Sequence, residues 1–391
     1  MVNFTILAGG FAVPGFIATY NFDSEASTLS LLDQSATGNS PSWIAQHPQN
    51  RSVLYAVNEV SPVGDLQSLV INTNGSVSVV ETISTEGNGP TFTGPLSTGE
   101  ITGLNFGSPN ASFAAIDPAD PTHFTGSQVL SFPVPEGAKS NPHMSLEFNG
   151  EVFIPDLGGD KIWRVVKDEN GNFTVHGQID QDAGSGPRHI AIQDDILFTL
   201  HETTSTLTAQ RISAAPDFNT TLPLIANVSI VPPNQLNGTK FAGAELLISQ
   251  VSEKFPNPLI YVSNRNIGET IDPNGDTIAI FEFTNGTAAA STNGTVAATK
   301  RMHRRSKWAR QTDAGAEADG ALTLLAQIPT GLQQIRSMAL GRVDDGGDEF
   351  IIAGANTAGG VAVFQRVDGG RNLTLVAKNE EIANRTSFVF I

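Results

Sequence analysis

The chain has 391 residues, a formal net charge of −17 and no cysteine. That charge argues against nucleic acid, whose phosphates require a basic footprint, and the missing thiols exclude disulfides, thiolate catalysis and cysteine-ligated zinc. Short apolar runs broken by 38 glycines and 22 prolines, with no sustained i, i+3, i+4, i+7 pattern, predict an all-β chain.

In chain order, FTILAGG, FIATYNF and STLSLL read as three strands that begin at once. The opening residues lack the basic and continuous apolar regions of a signal peptide, so the sequence reads as one whose leader has been removed. No run reaches the roughly 20 apolar residues of a membrane span. A four-strand unit then recurs, its strands lettered A to D. The copies are 42–83, 101–134, 142–179, 187–230, 244–328 and 335–379, with the strand D of 101–134 hard to find before Pro142. Residues 285–320 interrupt the fifth copy between C and D; they are low in complexity and strongly basic at 300–310, and read as a disordered surface insertion. SFVFI at the C-terminus supplies a strand A for the three opening strands. The count closes at seven, which predicts one seven-bladed β-propeller over 1–391, its ring sealed by a C-terminal strand A joining N-terminal B, C and D.

In such a ring strand A is innermost and antiparallel to B, so starts of A and ends of B surround one mouth of the central channel. Ends of B read as Asn58-Glu59, Asp117, Asp156, His201-Glu202, Asn264-Arg265 and Asn356. Starts of A read as Trp43, Glu100, His143, Arg188-His189, Glu245 and Arg336. This convergence predicts a polar axial pocket. A tunnel-capping ion network is the plainer alternative, but two histidines, three arginines and several carboxylates exceed that need. His143 and Arg188-His189 each follow a proline that fixes the backbone, and Glu202 is placed to face Arg188 across the A–B hairpin. Glu59, His189, His201, Glu245, Asn264 and Asp156 complete the expected substrate-binding wall. No His-x-His, His-Glu-x-x-His, GxSxG or strand-linked GxGxxG occurs, so neither metal nor cofactor is signalled.

Twelve of the 28 asparagines lie in Asn-x-Ser/Thr sequons, against roughly five expected by chance from the Ser and Thr content. The excess predicts a secreted chain bearing N-linked glycans.

SNPHMSLEF, GSGPRHIAI…LFTLHE and AELLIS…LIYVSNRN resemble the lactonase-type seven-bladed propellers, a family that includes propeller 6-phosphogluconolactonases, carboxy-cis,cis-muconate cyclases and secreted fungal aldonolactonases. The resemblance is good over 140–285, recognisable over 1–83 and thin over 84–134 and 330–391. It implies catalytic roles for His143, Arg188, Glu202 and Arg265. Ala115-Ile116-Asp117 departs from the family's Val-x-Asn-Tyr. Lactone opening needs a water-activating base, a cationic group for the developing oxyanion and an acid for the leaving alkoxide. Glu202 or His143 is the expected base, and Arg188 and Arg265 the expected polarising pair. Hydrolysis of a sugar lactone is the leading expectation. A muconate-lactonising cycloisomerase comes next, then a non-catalytic carbohydrate- or protein-binding propeller.

Overall fold

A computed structural model describes residues 3–285 and 320–391; the expected insertion lies largely outside the described residues. Seven four-stranded antiparallel sheets form the blades of a ring. Blade 1 is built from Arg385–Phe390 as strand A and Asn3–Gly10, Phe16–Asp23 and Thr28–Ala36 as B, C and D. The last strand therefore pairs with the first, Leu7 facing Val389 and Ala8 facing Phe388. Blades 2 to 7 follow in order, with strand A at Ile44–Gln46, Pro90–Phe92, Leu146–Phe148, Pro187–Gln193, Phe241–Ile248 and Ile335–Leu340.

Blade 3 corrects the sequence reading. Its strand A is Pro90–Phe92, and Glu100–Asn105, Asn110–Ile116 and Phe124–Ser131 are B, C and D. The strands read as A, B and C are B, C and D, so the missing strand is A. Glu100 thus begins strand B and Asp117 follows strand C, both at the end remote from the expected mouth. The true end of B, Leu104-Asn105-Phe106, supplies the apolar-Asn-aromatic pattern sought at 115–117.

The core is distributed over the seams. Seven apolar clusters occur, one between each pair of neighbouring blades. Strands B are covered on both faces, and Val53–Asn58 and Ile196–His201 are buried throughout. Strands D form the rim and are largely exposed, as in Val77–Ser84, where only Val77 is buried. Stacked rings such as Phe113 on Phe173, centroids 4.0 Å apart, lock the blade 3–4 seam. Each such pair adds about 1 kcal/mol beyond its buried area.

Candidate active site

Two backbone devices aim side chains at the axis. The first is a β-bulge at the start of strand A. Pro187 faces His201 and His189 faces Leu200, leaving Arg188 as the extra residue. The same shift occurs between Pro90 and Phe92, Gly243 and Leu246, and Ile335 and Ser337. A bulge breaks the strict alternation of a strand, so two successive side chains can face the same way. Arg188 and His189 both reach the axial cluster for this reason.

The second device is a polar residue near the end of strand B, which in blades 4 and 6 pins the loop entering its own blade. Asp156 accepts from Ser140 Oγ at 2.6 Å, Asn141 N at 2.6 Å, Gly159 N at 2.9 Å and Trp163 Nε1 at 3.0 Å. Asn264 Nδ2 donates to Ile230 O at 2.6 Å and Thr277 Oγ1 at 3.2 Å. His201 Nε2 meets Thr208 Oγ1 at 3.0 Å and lines a separate cleft of about 370 Å³ with Asp180, Asp182 and Ser185. Burial pushes the His201 imidazole down to about 4, partly opposed by Asp182 and Asp160. Asp156, Asn264 and His201 are therefore turned away from the axial cluster. The residue after each B end points inward instead, which brings in Glu59, Glu202 and Arg265.

At the axis, Glu202 Oε2 lies 2.9 Å from Arg188 Nε and 2.7 Å from Arg265 Nη2. Arg188 also donates to Ala244 O, and Arg265 to Gly243 O at 3.2 Å. Arg336, read from sequence only as a strand start, sits 3.8 Å from Glu59 Oε2 and over the Phe11 ring. Burial, then the charges of Arg265 and Arg336, push Arg188 down to about 9, with Glu202 opposing. Burial alone would raise the Glu202 carboxyl, but Arg265, Arg188 and Arg336 together hold it below its ordinary value. Burial raises Glu59, against Arg336, Ser42 and Arg188. Three arginines thus gather at the centre of an acidic protein, faced by Glu202 and Glu59.

His143 stands beside this cluster. Burial first, then Arg188, His189, Arg336 and Arg265, hold its imidazole well below the usual histidine value, so it is neutral at pH 7. Its Nδ1 is buried and has no hydrogen-bond partner among the described residues. Phe106 and His189 meet its ring edge-on at 5.6 and 5.2 Å. His189 Nδ1 donates to Glu245 Oε1 at 2.7 Å, and Ser337 Oγ donates to Glu245 Oε2 at 2.7 Å. Trp43 and Phe92 pack on the His189 ring. Glu245, Trp43, Phe92 and Met144 also border a cavity of about 810 Å³ that continues towards the opposite end of the channel. The His189–Glu245 layer is thus a floor between the arginine cluster and that cavity.

Of the ten residues singled out from sequence, seven meet here: His143, Arg188, Glu202, Arg265, Glu59, His189 and Glu245. Phe92 and Phe106 were missed with the misplaced blade 3. The signal was GNGPTFTG, whose Gly-Pro step matches the Pro that opens strand A in NPHM and GPRH.

The arrangement joins a neutral imidazole to a fixed array of guanidinium groups, which suits activation of a nucleophile beside a developing anion. Residues 5–312 match the family model described as lactonase, 7-bladed β-propeller. A probable 6-phosphogluconolactonase of Arthroderma benhamiae is 26% identical over 267 residues, spanning 64% of each chain, so less than two-thirds of that relative is matched. The periplasmic gluconolactonase of Pseudomonas aeruginosa superposes with a TM-score of 0.75 at 16% identity, covering 100% of this chain and 99% of that one. A protein from Lactobacillus plantarum gives 0.75 at 18% identity, covering 100% and 99%. These two structures share the fold, and with 308 of its 391 residues inside the family match, the chain belongs to the seven-bladed β-propeller lactonases.

Proposed function

We propose that the chain is a secreted lactonase that hydrolyses sugar lactones at the arginine-rich channel mouth. The observation that carries this reading is the neutral His143, its Nδ1 unpartnered, beside guanidinium groups held by one carboxylate.

In the proposed reaction, the lactone carbonyl oxygen lies towards Arg188 and Arg265, with Arg336 adding to the field. His143 takes a proton from water as the water oxygen attacks the carbonyl carbon. The arginines stabilise the resulting oxyanion. Collapse breaks the ring C–O bond, and the imidazolium returns its proton to the leaving alkoxide, which yields the open acid. Glu202 is unsuited to be the base, because its Oε2 is already committed to Arg188 at 2.9 Å and Arg265 at 2.7 Å, whereas His143 Nδ1 has no partner among the described residues. Its proposed role is to hold the two guanidinium planes. Glu245 holds His189 as the Nδ1–H tautomer, which in turn supports the His143 ring.

Burial in a low-dielectric centre makes such a charge array effective, since it is already organised when the oxyanion forms. The family name and the named relatives support lactone chemistry in general. The choice of a neutral sugar lactone rests on the acidic composition, which disfavours anionic substrates at long range. Three arginines at one site favour the second reading, cycloisomerisation of a carboxylated muconate.

The test is a panel of glucono-, cellobiono- and 6-phosphoglucono-lactones and carboxymuconate, with ring opening followed by proton release. The expected result is fast turnover of the neutral lactones, lost in Arg188→Met by about 10²–10³-fold in kcat. Turnover of carboxymuconate alone would transfer the site to the second reading.

A further inference from the structure

The sequons are not scattered over the ring. Strand directions define two ends, the candidate site lying where strands A start and B end. The opposite end is made of A–B turns and C–D hairpins. Five of the seven blades carry a sequon asparagine at the C–D hairpin: Asn74, Asn172, Asn219, Asn285 and Asn372 in blades 2, 4, 5, 6 and 7. Asn50 lies in the A–B turn of blade 2, and Asn3 lies at the same end of blade 1, paired with Asp23. Of the other described sequons, Asn110, Asn237 and Asn384 lie at the site end and Asn227 lies along a strand D. Asn3, Asn74, Asn172, Asn219, Asn285 and Asn372 are all exposed.

Local geometry differs between sequons at the two ends. Asn50 Oδ1 accepts from both N and Oγ of Ser52, at 3.1 and 2.7 Å. Asn74 repeats this with Ser76, at 3.1 and 2.7 Å. In both turns the hydroxyl of the sequon is folded onto its own asparagine and the amide is presented outward. Asn110 is the opposite case. Its Oδ1 accepts from Asn105 Nδ2 at 2.7 Å, and its Nδ2 donates to Glu86 O at 3.3 Å, so it is tied into the chain.

The rim explains what carbohydrate at this end would do. Each strand D leaves one edge unpaired, the kind of edge that joins chains together when it is apolar. Leu32, Val79, Val80, Leu224, Leu324 and Leu375 are large exposed apolar residues on strands D, in blades 1, 2, 5, 6 and 7. Every one of those blades has a sequon at the far end, as does blade 4, whose strand D carries no such residue. Blade 3, the one blade without a far-end sequon among the described residues, has no large exposed apolar residue on its strand D.

We propose that the end of the propeller opposite the candidate site is a ring of N-glycosylation sites whose glycans shield the apolar outer strands. In the modification, the asparagine Nδ2 attacks the anomeric carbon of a lipid-pyrophosphate-linked oligosaccharide. The N–C bond forms, the C–O bond to pyrophosphate breaks, the lipid pyrophosphate leaves and the amide proton passes to a base of the transferase. The proposal rests on the secretion proposed above and not on the lactone chemistry.

The experiment takes the full chain exported through a eukaryotic secretory pathway. N-glycans are released enzymatically in heavy-oxygen water, which converts each occupied asparagine to a mass-tagged aspartate, and peptides are read by mass spectrometry. The expected result is tags at Asn74, Asn172, Asn219 and Asn372 and none at Asn110. Untagged C–D hairpins would overturn the proposal and leave Asn followed by Thr as turn-then-strand chemistry alone; tags on Asn110 equal to those on the hairpins would overturn the acceptor geometry. A triple variant, Asn74→Gln, Asn219→Gln and Asn372→Gln, is expected to keep its melting temperature and lactone turnover but to gain light scattering on concentration. A variant as monodisperse as the parent overturns the shielding role.

Discussion

Glu202 Oε2 sits between two guanidinium groups, and removing its charge leaves Arg188 and Arg265 facing each other in a poorly hydrated centre. Glu202→Gln is therefore expected to lose about 2–3 kcal/mol in denaturant unfolding, under the range for full burial because the Glu202 side chain stays 27% exposed. The pH dependence has a definite sign. The folded carboxyl ionises below its ordinary value, so its contribution is complete above the unfolded value near 4.3 and is lost as pH falls through the lower folded value. Stability of the parent should fall in that acid window more steeply than that of Glu202→Gln, measured by unfolding curves from pH 3 to 7 (roughly the span set by those values). His143 predicts a kinetic counterpart. A base held neutral well below the usual 6.5 keeps working as the medium acidifies, so the acid limb of kcat should lie below pH 6.5. An acid limb at or above 6.5 would remove His143 from the role. These pairings were legible from sequence because proline and strand end marked the positions. The floor was only half legible: His189 and Glu245 were named, but their mutual hydrogen bond links strands A of neighbouring blades and has no local sequence signal.

At the scale of the strand, parity decides what faces the axis. The residue one step earlier on strand B is engaged elsewhere, Asp156 and Asn264 with loops and His201 with Thr208 on strand C, which is why all three sit away from the arginine cluster. Sequence showed that polar residues end each strand B, but not which of two adjacent ones points inward, because that depends on where the twist and the bulge fall. Asp156 illustrates the consequence. It anchors Ser140 and Asn141, three and two residues ahead of His143. Asp156→Ala should cost about 3 kcal/mol by leaving several buried donors unpaired, and should lower kcat more than it raises KM, since the displaced group is the base and not a binding surface. Unchanged kcat with lowered stability would confine Asp156 to structure. Blade 3 was misaligned for a related reason: its strand A is only Pro90–Phe92, while the longer apolar run ITGLNF looked like a beginning and is strand B.

The ring as a whole is closed by one strand, and the axial site needs closure because its residues come from blades 2, 4, 5, 6 and 7. Arg385–Phe390 is buried except at Val389, with Phe388 and Phe390 in the blade 1–7 seam. Deleting residues 385–391 should open the ring, expose two sheet edges and abolish cooperative unfolding, read by circular dichroism and size-exclusion chromatography. The seven-fold count was legible because every unit repeats the same apolar and turn pattern, and the leftover strands at the two termini could only complete each other.

The most direct measurement is kcat for glucono-lactone opening by the parent and by His143→Gln, each verified as folded by its melting transition. Measurable turnover is expected of the parent and a loss of about 10²–10⁴-fold of the variant, the range for removal of a general base. A folded variant that opens the lactone at the parental rate would contradict the proposed reaction.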